Sequence, residues 1–127
     1  MSQQSCPFCN LPPERIIDSN ELALVIRDGY PISRGHTLIV PKRHTGSFFD
    51  TSDQEKLALF DLVTKAKMKL DQEFSPNSYN IGINDGSAAG QTVPHLHIHL
   101  IPRYLGDQED PRGGVRWIIP GKAKYWE

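Results

Sequence analysis

Three histidines alternate with apolar residues near the end of the chain, in the segment His95-Leu96-His97-Ile98-His99-Leu100-Ile101. Successive side chains of a β-strand point to opposite faces. A strand over residues 95–101 would therefore place His95, His97 and His99 on one face and the apolar residues on the other, toward the core. The strand rise separates the outer two Cα atoms by roughly 13 Å, too far for all three imidazoles to bind one metal ion without strain. The spacing favours a row of sites, with the middle histidine flanked by two others.

A row of imidazoles is suited to nucleophilic chemistry. The ordinary histidine pKa of about 6.5 leaves the ring mostly neutral in the cytosol. If one ring nitrogen donates to a carbonyl, the other keeps a free lone pair. Neighbouring donors would stabilise the charge that builds on an attacked phosphorus atom, so the row indicates nucleophilic catalysis with electrostatic stabilisation.

One long helix and four strands are predicted around this chemistry. The helix is expected over Ser52 to Phe74, because Ser52 and Glu55 have the spacing of a capping box and apolar residues recur at helical spacing. Strand-forming runs bounded by turn residues predict strands at 21–28, 36–41, 78–84 and 95–101. A further short strand is expected at 115–119.

The order strand–strand–helix–strand–strand favours an α+β meander over a βαβ array. A length of 127 residues suits a single domain over residues 1–127. Within it, residues 1–15 are a Pro-rich arm and residues 103–127 a tail.

Composition narrows the class of protein. A net charge of −1 and a pI near 6.5 argue against a strongly basic nucleic-acid binder, which carries a surplus of Lys and Arg. The apolar runs are far shorter than the roughly 20 residues that a membrane-spanning helix needs. The first residues lack the basic and apolar regions of a signal peptide. We therefore expect a cytoplasmic protein with no nucleic-acid or membrane partner.

Two cysteines stand close together in Cys6-Pro7-Phe8-Cys9. The residues alone permit three interpretations: a zinc knuckle that needs two further ligands, a redox pair, or two unconnected thiols. A glutaredoxin-type redox pair needs a preceding strand and a helix that starts at the first cysteine. Only five residues precede Cys6, and Pro12-Pro13 prevents a helix soon after Cys9, which disfavours the redox interpretation.

The histidine segment resembles the signature of the histidine triad (HIT) superfamily, His-φ-His-φ-His-φ-φ, in which φ is apolar. Two further blocks resemble the same family, Asn84 to Pro94 and Gly35 to His44. The similarity runs from about Cys6 to Arg103, over three quarters of the chain. It implies a HIT-like α+β fold, with an antiparallel half-barrel sheet and one long helix, that forms a two-fold homodimer. It also implies a nucleotide hydrolase or transferase.

The resemblance assigns roles to matching residues. His97 would be the nucleophile that attacks the α-phosphorus of a nucleotide and forms a nucleotidyl-histidine intermediate. His99 would donate to a phosphate oxygen, and Asp28 would accept from the ribose hydroxyls. The positions that meet the phosphate or the leaving group would be Asn84, Gln91 and Thr92, of which Gln91 counts among the catalytic residues. Apolar residues around Ile26 and Leu38 would hold the base.

The resemblance also implies a structural zinc ion. Some members of the family bind Zn²⁺ through two such cysteines, the histidine after Pro-Lys-x and the first histidine of the triad. The matching residues here are Cys6, Cys9, His44 and His95. Four protein ligands leave no open position, so the metal would hold the arm against the histidine strand while His97 and His99 carry out the chemistry.

Several alternatives stay open at this level. The implied substrate is a dinucleoside polyphosphate or a nucleoside phosphoramidate: the loop before the triad is closer to the dinucleoside polyphosphate hydrolases, whereas the cysteine arm is typical of bacterial members. A hydrolase and a phosphorylase would share His97. The alternative from another class is a non-catalytic nucleotide- or zinc-binding module. His36 is either a hydrogen-bonding residue near the pocket or merely polar. Arg103, Arg112 and Arg116 contact either a polyphosphate or solvent and a dimer partner.

Overall fold

The computed structural model describes residues 2–127 and contains one sheet, one long helix and a short C-terminal helix. The elements, in chain order, are β1 (Ile16–Ser19), β2 (Ala23–Arg27), β3 (Thr37–Pro41), α1 (Asp53–Phe74), β4 (Ser78–Ile83), β5 (Ile98–Arg103) and α2 (Pro120–Ala123). All the strand pairs are antiparallel, in the spatial order β1-β2-β3-β5-β4. The predicted α+β class, with an open antiparallel sheet and one long helix, is confirmed.

The core lies between α1 and one face of the sheet. Val25, Ile39 and Ile98 pair in register across three strands, and each is at most 1% exposed. The stripe predicted for the helix faces the core: four of its side chains are buried and Val63 is partly buried against them, the buried ones being Leu59, Leu62, Ala66 and Leu70. Leu96, Ile98 and Leu100 also belong to this core, as the alternation predicts. The opposite face of the sheet is therefore left for the histidines and for a ligand.

The start of α1 is fixed by a capping box that also anchors the preceding loop. Ser52 Oγ accepts from the Glu55 N–H, and Glu55 accepts from the Ser52 N–H. Arg43 donates to both carboxylate oxygens of Glu55, at 2.9 and 3.1 Å. Hydrogen bonds from Arg43 and then from the Ser52 backbone lower the pKa of Glu55 to about 2. The start of α1 therefore fixes the position of Arg43, which directly precedes His44.

Three elements of the structure differ from the prediction. β1 was not predicted, because a short run after Pro12-Pro13 carries little apolar pattern and is defined by its pairing with β2. The strand expected at 115–119 is wrong, since Gly114–Ile118 forms a 3₁₀ helix. β5 begins at Ile98 rather than at His95.

The late start of β5 follows from contacts with residues that are distant in the sequence. The ladder with β3 ends at the pair Ile39–Ile98, two residues before Pro41, which has no N–H to donate. The oxygen of Pro41 accepts instead from the ring of His95, and the Leu96 N–H donates to the Thr45 oxygen. The segment before β5 is thus held by a side-chain hydrogen bond to the end of β3 and by a backbone hydrogen bond to the loop after it, rather than by a continuous ladder.

Among residues 2–127, no helix has the length and apolar character needed to cross a membrane.

Candidate active site and metal cluster

The open face of the sheet carries the third histidine of the row. Ile26, Leu38, His99 and Gly82 pair in register across four strands, so these positions share one face. Ile26 and Leu38 are buried, at 0% and 4% exposure. A Cβ at Gly82 would meet nothing within 4 Å, so the sheet is bare on that side of His99. On this face of the sheet, apolar side chains lie to one side of His99, and the space over Gly82 on the other side is open.

His97 lies just before β5 and makes one decisive hydrogen bond. Its Nδ1 is 2.8 Å from the main-chain oxygen of His95. A carbonyl oxygen only accepts, so Nδ1 carries the proton and Nε2 of the neutral ring keeps the free lone pair. The ring is 8% exposed and lies near the rings of His99 and Phe8, at centroid distances of 5.1 and 5.2 Å. The histidine row is therefore less open to solvent than the alternation suggests.

Hydrogen bonds behind His99 assign the protons of two further rings. The Ile32 N–H donates to Nδ1 of His36 at 3.2 Å, so the proton of the neutral His36 ring is on Nε2. That nitrogen lies 2.9 Å from Nδ1 of His99 and 3.3 Å from a carboxylate oxygen of Asp28. His36 donates to His99, whose own proton is then on Nε2. The hydrogen bonds from Ile32 to His36 and from His36 to His99 thus place the proton of His99 on Nε2. His99 therefore offers an N–H donor beside the ring of His97.

We expect His99 to stay neutral well below its ordinary pKa. Burial, followed by the nearby rings of His97 and His36, lowers its pKa to about 4. The unfolded chain binds this proton near pH 6.5, so it holds more protons than the folded chain between pH 6.5 and 4. The free energy of unfolding should therefore decrease as the pH falls through that window. NMR titration of the ring nitrogens and urea unfolding at several pH values measure the two effects.

His36→Leu is the control for this titration. Without the donor, both neutral tautomers of His99 become accessible, and the ring-nitrogen shifts of the variant should report a mixture of the two. A wild-type His99 that titrates near pH 6.5, or that carries its proton on Nδ1 at pH 7, would contradict the assignment.

Asp28, His36 and His99 also have the residue types of a metal site, with ligand atoms within 4.8 Å of one another. A metal ion on Nε2 of His36 would move the proton of the neutral ring to Nδ1. That proton would face the Ile32 N–H, which is itself a donor. The backbone therefore favours a hydrogen-bonded chain over a metal ion at these three residues.

A second cluster joins the arm to the histidine segment. It comprises the four predicted ligands Cys6, Cys9, His44 and His95. The two Nδ1 atoms are 3.2 Å apart, and the sulfur–nitrogen distances are 3.2 to 3.5 Å. A tetrahedral ion with bonds of about 2.0–2.3 Å needs ligand atoms roughly 3.3–3.8 Å apart. The spacing and the donor set both fit a metal ion.

The surrounding structure prepares these ligands. Nε2 of His95 donates to the Pro41 oxygen at 2.9 Å, so its Nδ1 has the lone pair that a metal requires. The side chain of Asn10 donates to the Cys6 oxygen at 2.8 Å and closes the cysteine loop. His95 and Cys6 are fully buried. The structure therefore brings together all four residues that the resemblance indicated as metal ligands.

A family model described as the HIT domain matches residues 11–106, which contain all five histidines. The chain belongs to the HIT family. The match begins after the two cysteines, so membership rests on the sheet, the helix and the histidine segment of this HIT protein.

Similar HIT proteins carry different names. The bis(5'-nucleosyl)-tetraphosphatase (asymmetrical) of Schizosaccharomyces pombe is 44% identical over 77 residues, 61% of this chain and 42% of the relative. An adenylylsulfatase of Arabidopsis thaliana is 33% identical over 105 residues, 80% of this chain and 53% of the relative. The crystal structure of a Zn-bound histidine triad family protein from Mycobacterium smegmatis matches with a TM-score of 0.75 and 36% identity, covering 86% of this chain and 82% of that one.

The loop before the triad of this HIT protein is braced by Gln91. Its side-chain oxygen accepts from the Gly86 N–H at 2.8 Å, and its nitrogen donates to the oxygens of Gly46 and Val93 at 2.9 and 3.1 Å. Gly86 and Gly90 both have φ of +95°, where a side chain would be strained. Both the oxygen and the nitrogen of the Gln91 side-chain amide are thus hydrogen-bonded to the backbone.

Asn84 and Thr92 flank this loop. Asn84 directly follows β4, whose last pair with β5 is Ile83–Ile98. Thr92 is exposed on the loop. The structure places Asn84 next to the end of the β4–β5 ladder and leaves Thr92 on the surface.

The tail arginines of this HIT protein are engaged within the chain. Arg103 donates to both oxygens of Asp107 at 2.8 Å, and Arg112 pairs with Asp110. Arg116 donates to main-chain oxygens of the tail. These contacts favour a structural role for the arginines over contact with a polyphosphate.

Sequence reasoning missed Phe8 as a neighbour of the triad and left His36 open. A usable signal existed for His36. The predicted strands 21–28 and 36–41, paired as a hairpin, would have set Asp28 beside His36, and the Asp28 N–H does donate to the His36 oxygen. Phe8 had no such signal, because its position depends on how the arm folds back.

Proposed function

We propose that this protein is a nucleotide hydrolase that cleaves at the α-phosphorus of a dinucleoside polyphosphate or a nucleoside phosphoramidate, through a nucleotide bonded to His97. The observation that carries the proposal is the hydrogen bond from Nδ1 of His97 to the His95 oxygen, which leaves Nε2 with its lone pair. An N–H donor on the adjacent His99 ring supports it. A pure binding module has no need of this proton arrangement.

The reaction proceeds in two displacements. The lone pair of Nε2 forms a bond to the α-phosphorus, and the bond from phosphorus to the leaving group breaks. A polyphosphate departs with the electron pair, whereas the amine of a phosphoramidate departs with the electron pair and takes a proton from solvent. The proton stays on Nδ1 of His97, hydrogen-bonded to the His95 oxygen, and the ring carries a positive charge. Water then bonds to phosphorus, the nitrogen–phosphorus bond breaks, and the electron pair returns to Nε2 while the water loses a proton to solvent.

The neighbouring residues hold the nucleotide in this proposal. His99 donates from Nε2 to a non-bridging oxygen and stabilises the charge that develops there. Asp28 accepts from the ribose hydroxyls with a carboxylate oxygen that lies 3.3 Å from Nε2 of His36, whose proton is donated to His99. Ile26 and Leu38 share the sheet face of His99 and would contact the base after a movement of the residues that cover them, since they are only 0% and 4% exposed. Together they account for the nucleoside and one phosphate.

The leaving group is met by Gln91, Asn84 and Thr92. The nitrogen of Gln91 must exchange one of its two acceptors, the oxygen of Gly46 or of Val93, for a phosphate oxygen. Its side-chain oxygen keeps the hydrogen bond from the Gly86 N–H during this exchange.

The metal cluster binds Zn²⁺ in a structural role. Two thiolates and two imidazoles are the ligand set that zinc prefers, and all four positions are filled by side chains. The ion pins the arm to the segment that carries His97. None of the steps above uses it.

The protein acts as a homodimer. β4 is an edge strand of the sheet, and Ile81 on it is 55% exposed. Phe60 and Met68 lie two turns apart on α1 and are 49% and 57% exposed. An edge strand and exposed apolar side chains are each typical of an interface between subunits. Sedimentation of the wild type and of Ile81→Lys tests this, since the charge should yield monomers.

The decisive experiment looks for the covalent intermediate. Wild-type protein is mixed with diadenosine tetraphosphate or adenosine phosphoramidate, quenched within milliseconds to seconds, and its intact mass is recorded. We expect an adenylate adduct that maps to His97 and is followed by release of AMP. Nucleotide binding without adduct or cleavage would instead support the binding module, and a requirement for inorganic phosphate would indicate a phosphorylase.

A further inference from the structure

Phe8 lies between the two cysteines of the arm and contacts the histidine row from the arm side. Its ring centroid is 5.2 Å from that of His97, with the planes tilted by 58°. It also meets His95 edge-on at 5.7 Å. Both distances lie within the range of direct aromatic contact. The residue that separates Cys6 from Cys9 is therefore a neighbour of the proposed nucleophile.

The position of Phe8 is set by the cluster around it rather than by the sheet. Cys6 is fully buried, and the sulfur atoms on either side of Phe8 lie 3.2 to 3.5 Å from ring nitrogens of His44 and His95. The Asn10 side chain ties the same loop to the Cys6 oxygen. A ring held at both ends in this way cannot withdraw from His97 without opening the cluster.

The charge of the His97 ring changes during the proposed reaction. Bonding of Nε2 to phosphorus, with the proton kept on Nδ1 and the leaving group taking its electron pair, makes the ring cationic. An aromatic face within about 6 Å attracts a cation through its quadrupole. The neutral resting ring gains less from the same neighbour, so the interaction favours the transition state over the free protein.

We propose that Phe8 is a positioning residue that stabilises the cationic, phosphorus-bonded form of His97. This inference rests on the proposed function of His97. The competing explanation is that Phe8 only fills space over the metal cluster. In that case its shape matters and the electron density of its ring does not.

The test varies the ring at position 8 while keeping its shape. Phenylalanines carrying one, three and five fluorine atoms replace Phe8 in the zinc-loaded, full-length protein, and the rate of adduct formation on His97 is measured in a single turnover. Fluorine withdraws density from the ring face, so we expect the logarithm of the rate to fall stepwise. The fully fluorinated ring should be about threefold to tenfold slower, with KM changed by less than twofold.

Matched variants separate this effect from packing. Phe8→Tyr keeps the aromatic face and should stay within twofold of the wild-type rate, whereas Phe8→Leu should be about threefold to tenfold slower. Phe49→Leu changes a phenylalanine that is 79% exposed and should leave the rate unchanged. Zinc content, measured for every variant, should equal that of the wild type, because Phe8 supplies no ligand.

The outcomes are distinguishable. Equal rates across the fluorinated series, or a tyrosine variant as slow as the leucine variant, overturn the role of Phe8 and leave the function of His97 standing. A wild-type protein that forms no adduct overturns both. If Phe8→Leu loses zinc, its slower rate reflects packing and is not counted. The fluorinated series, which keeps the shape of the ring, then decides whether Phe8 stabilises the cationic form of His97.

Discussion

His97→Ala should lose turnover and the covalent adduct while keeping its fold. No other group in the proposed reaction replaces the lone pair on Nε2, and removal of a nucleophile reduces catalysis on the order of 10⁴-fold or more. Nucleotide binding should persist, since Asp28, Ile26 and Leu38 are untouched. Product chromatography and intact mass measure the chemistry, and calorimetric titration with a non-hydrolysable analogue measures binding.

The control for this variant is Leu105→Ala, at a tail residue that is 87% exposed. It should match the wild type in rate, binding and unfolding temperature. Turnover by His97→Ala above about one hundredth of the wild-type rate would remove His97 from the role of nucleophile. Loss of cleavage together with loss of the fold would call for His97→Asn, which keeps the size and polarity of the buried site.

Removal of the metal should lower stability far more than it lowers the rate. Ligand binding to the folded state alone contributes about 4 kcal/mol when the free ligand is a thousandfold above its Kd. For a chain of this size that corresponds to a fall of about 10–20 °C in the unfolding temperature. Chelation, or Cys6→Ala, should produce this fall, and metal analysis should find one zinc per wild-type chain.

Ser5→Ala is the matched control for the arm, because Ser5 precedes Cys6 and is exposed. Its zinc content and unfolding temperature should be those of the wild type. The turnover of Cys6→Ala should fall by no more than the loss of the Phe8 contact implies, about tenfold. Wild-type protein purified without chelators and found free of zinc would refute the structural metal.

Much of the fold is predictable because its signals are local. The capping box of Ser52 and Glu55 and the helical stripe after it mark α1 to within one residue at its start. The alternation of Leu96, Ile98 and Leu100 predicts which side of the histidine segment enters the core. Both follow from backbone geometry that any sequence with this pattern must satisfy.

The errors occur where partners distant in sequence decide the outcome. β1 exists because β2 pairs with it, and the histidine segment leaves the ladder early because the His95 ring takes the Pro41 oxygen. The tail residues 115–119 have strand-forming types, but they form a 3₁₀ helix whose C-terminal residues continue into α2. No local pattern contains the contacts of β1 with β2 or of His95 with Pro41, whereas the tail is a case in which local i→i−3 hydrogen bonds prevail over strand-forming residue types.

The family, the histidine segment and the Cys/His cluster are all readable from the sequence. They depend on residue type and spacing, which the chain carries whether or not it is folded. The protonated nitrogens of His97 and His99, and the contact of Phe8 with His97, are set by the folded chain alone. Those features arise from hydrogen bonds and contacts between segments far apart in the chain, whose geometry exists only after the sheet has formed.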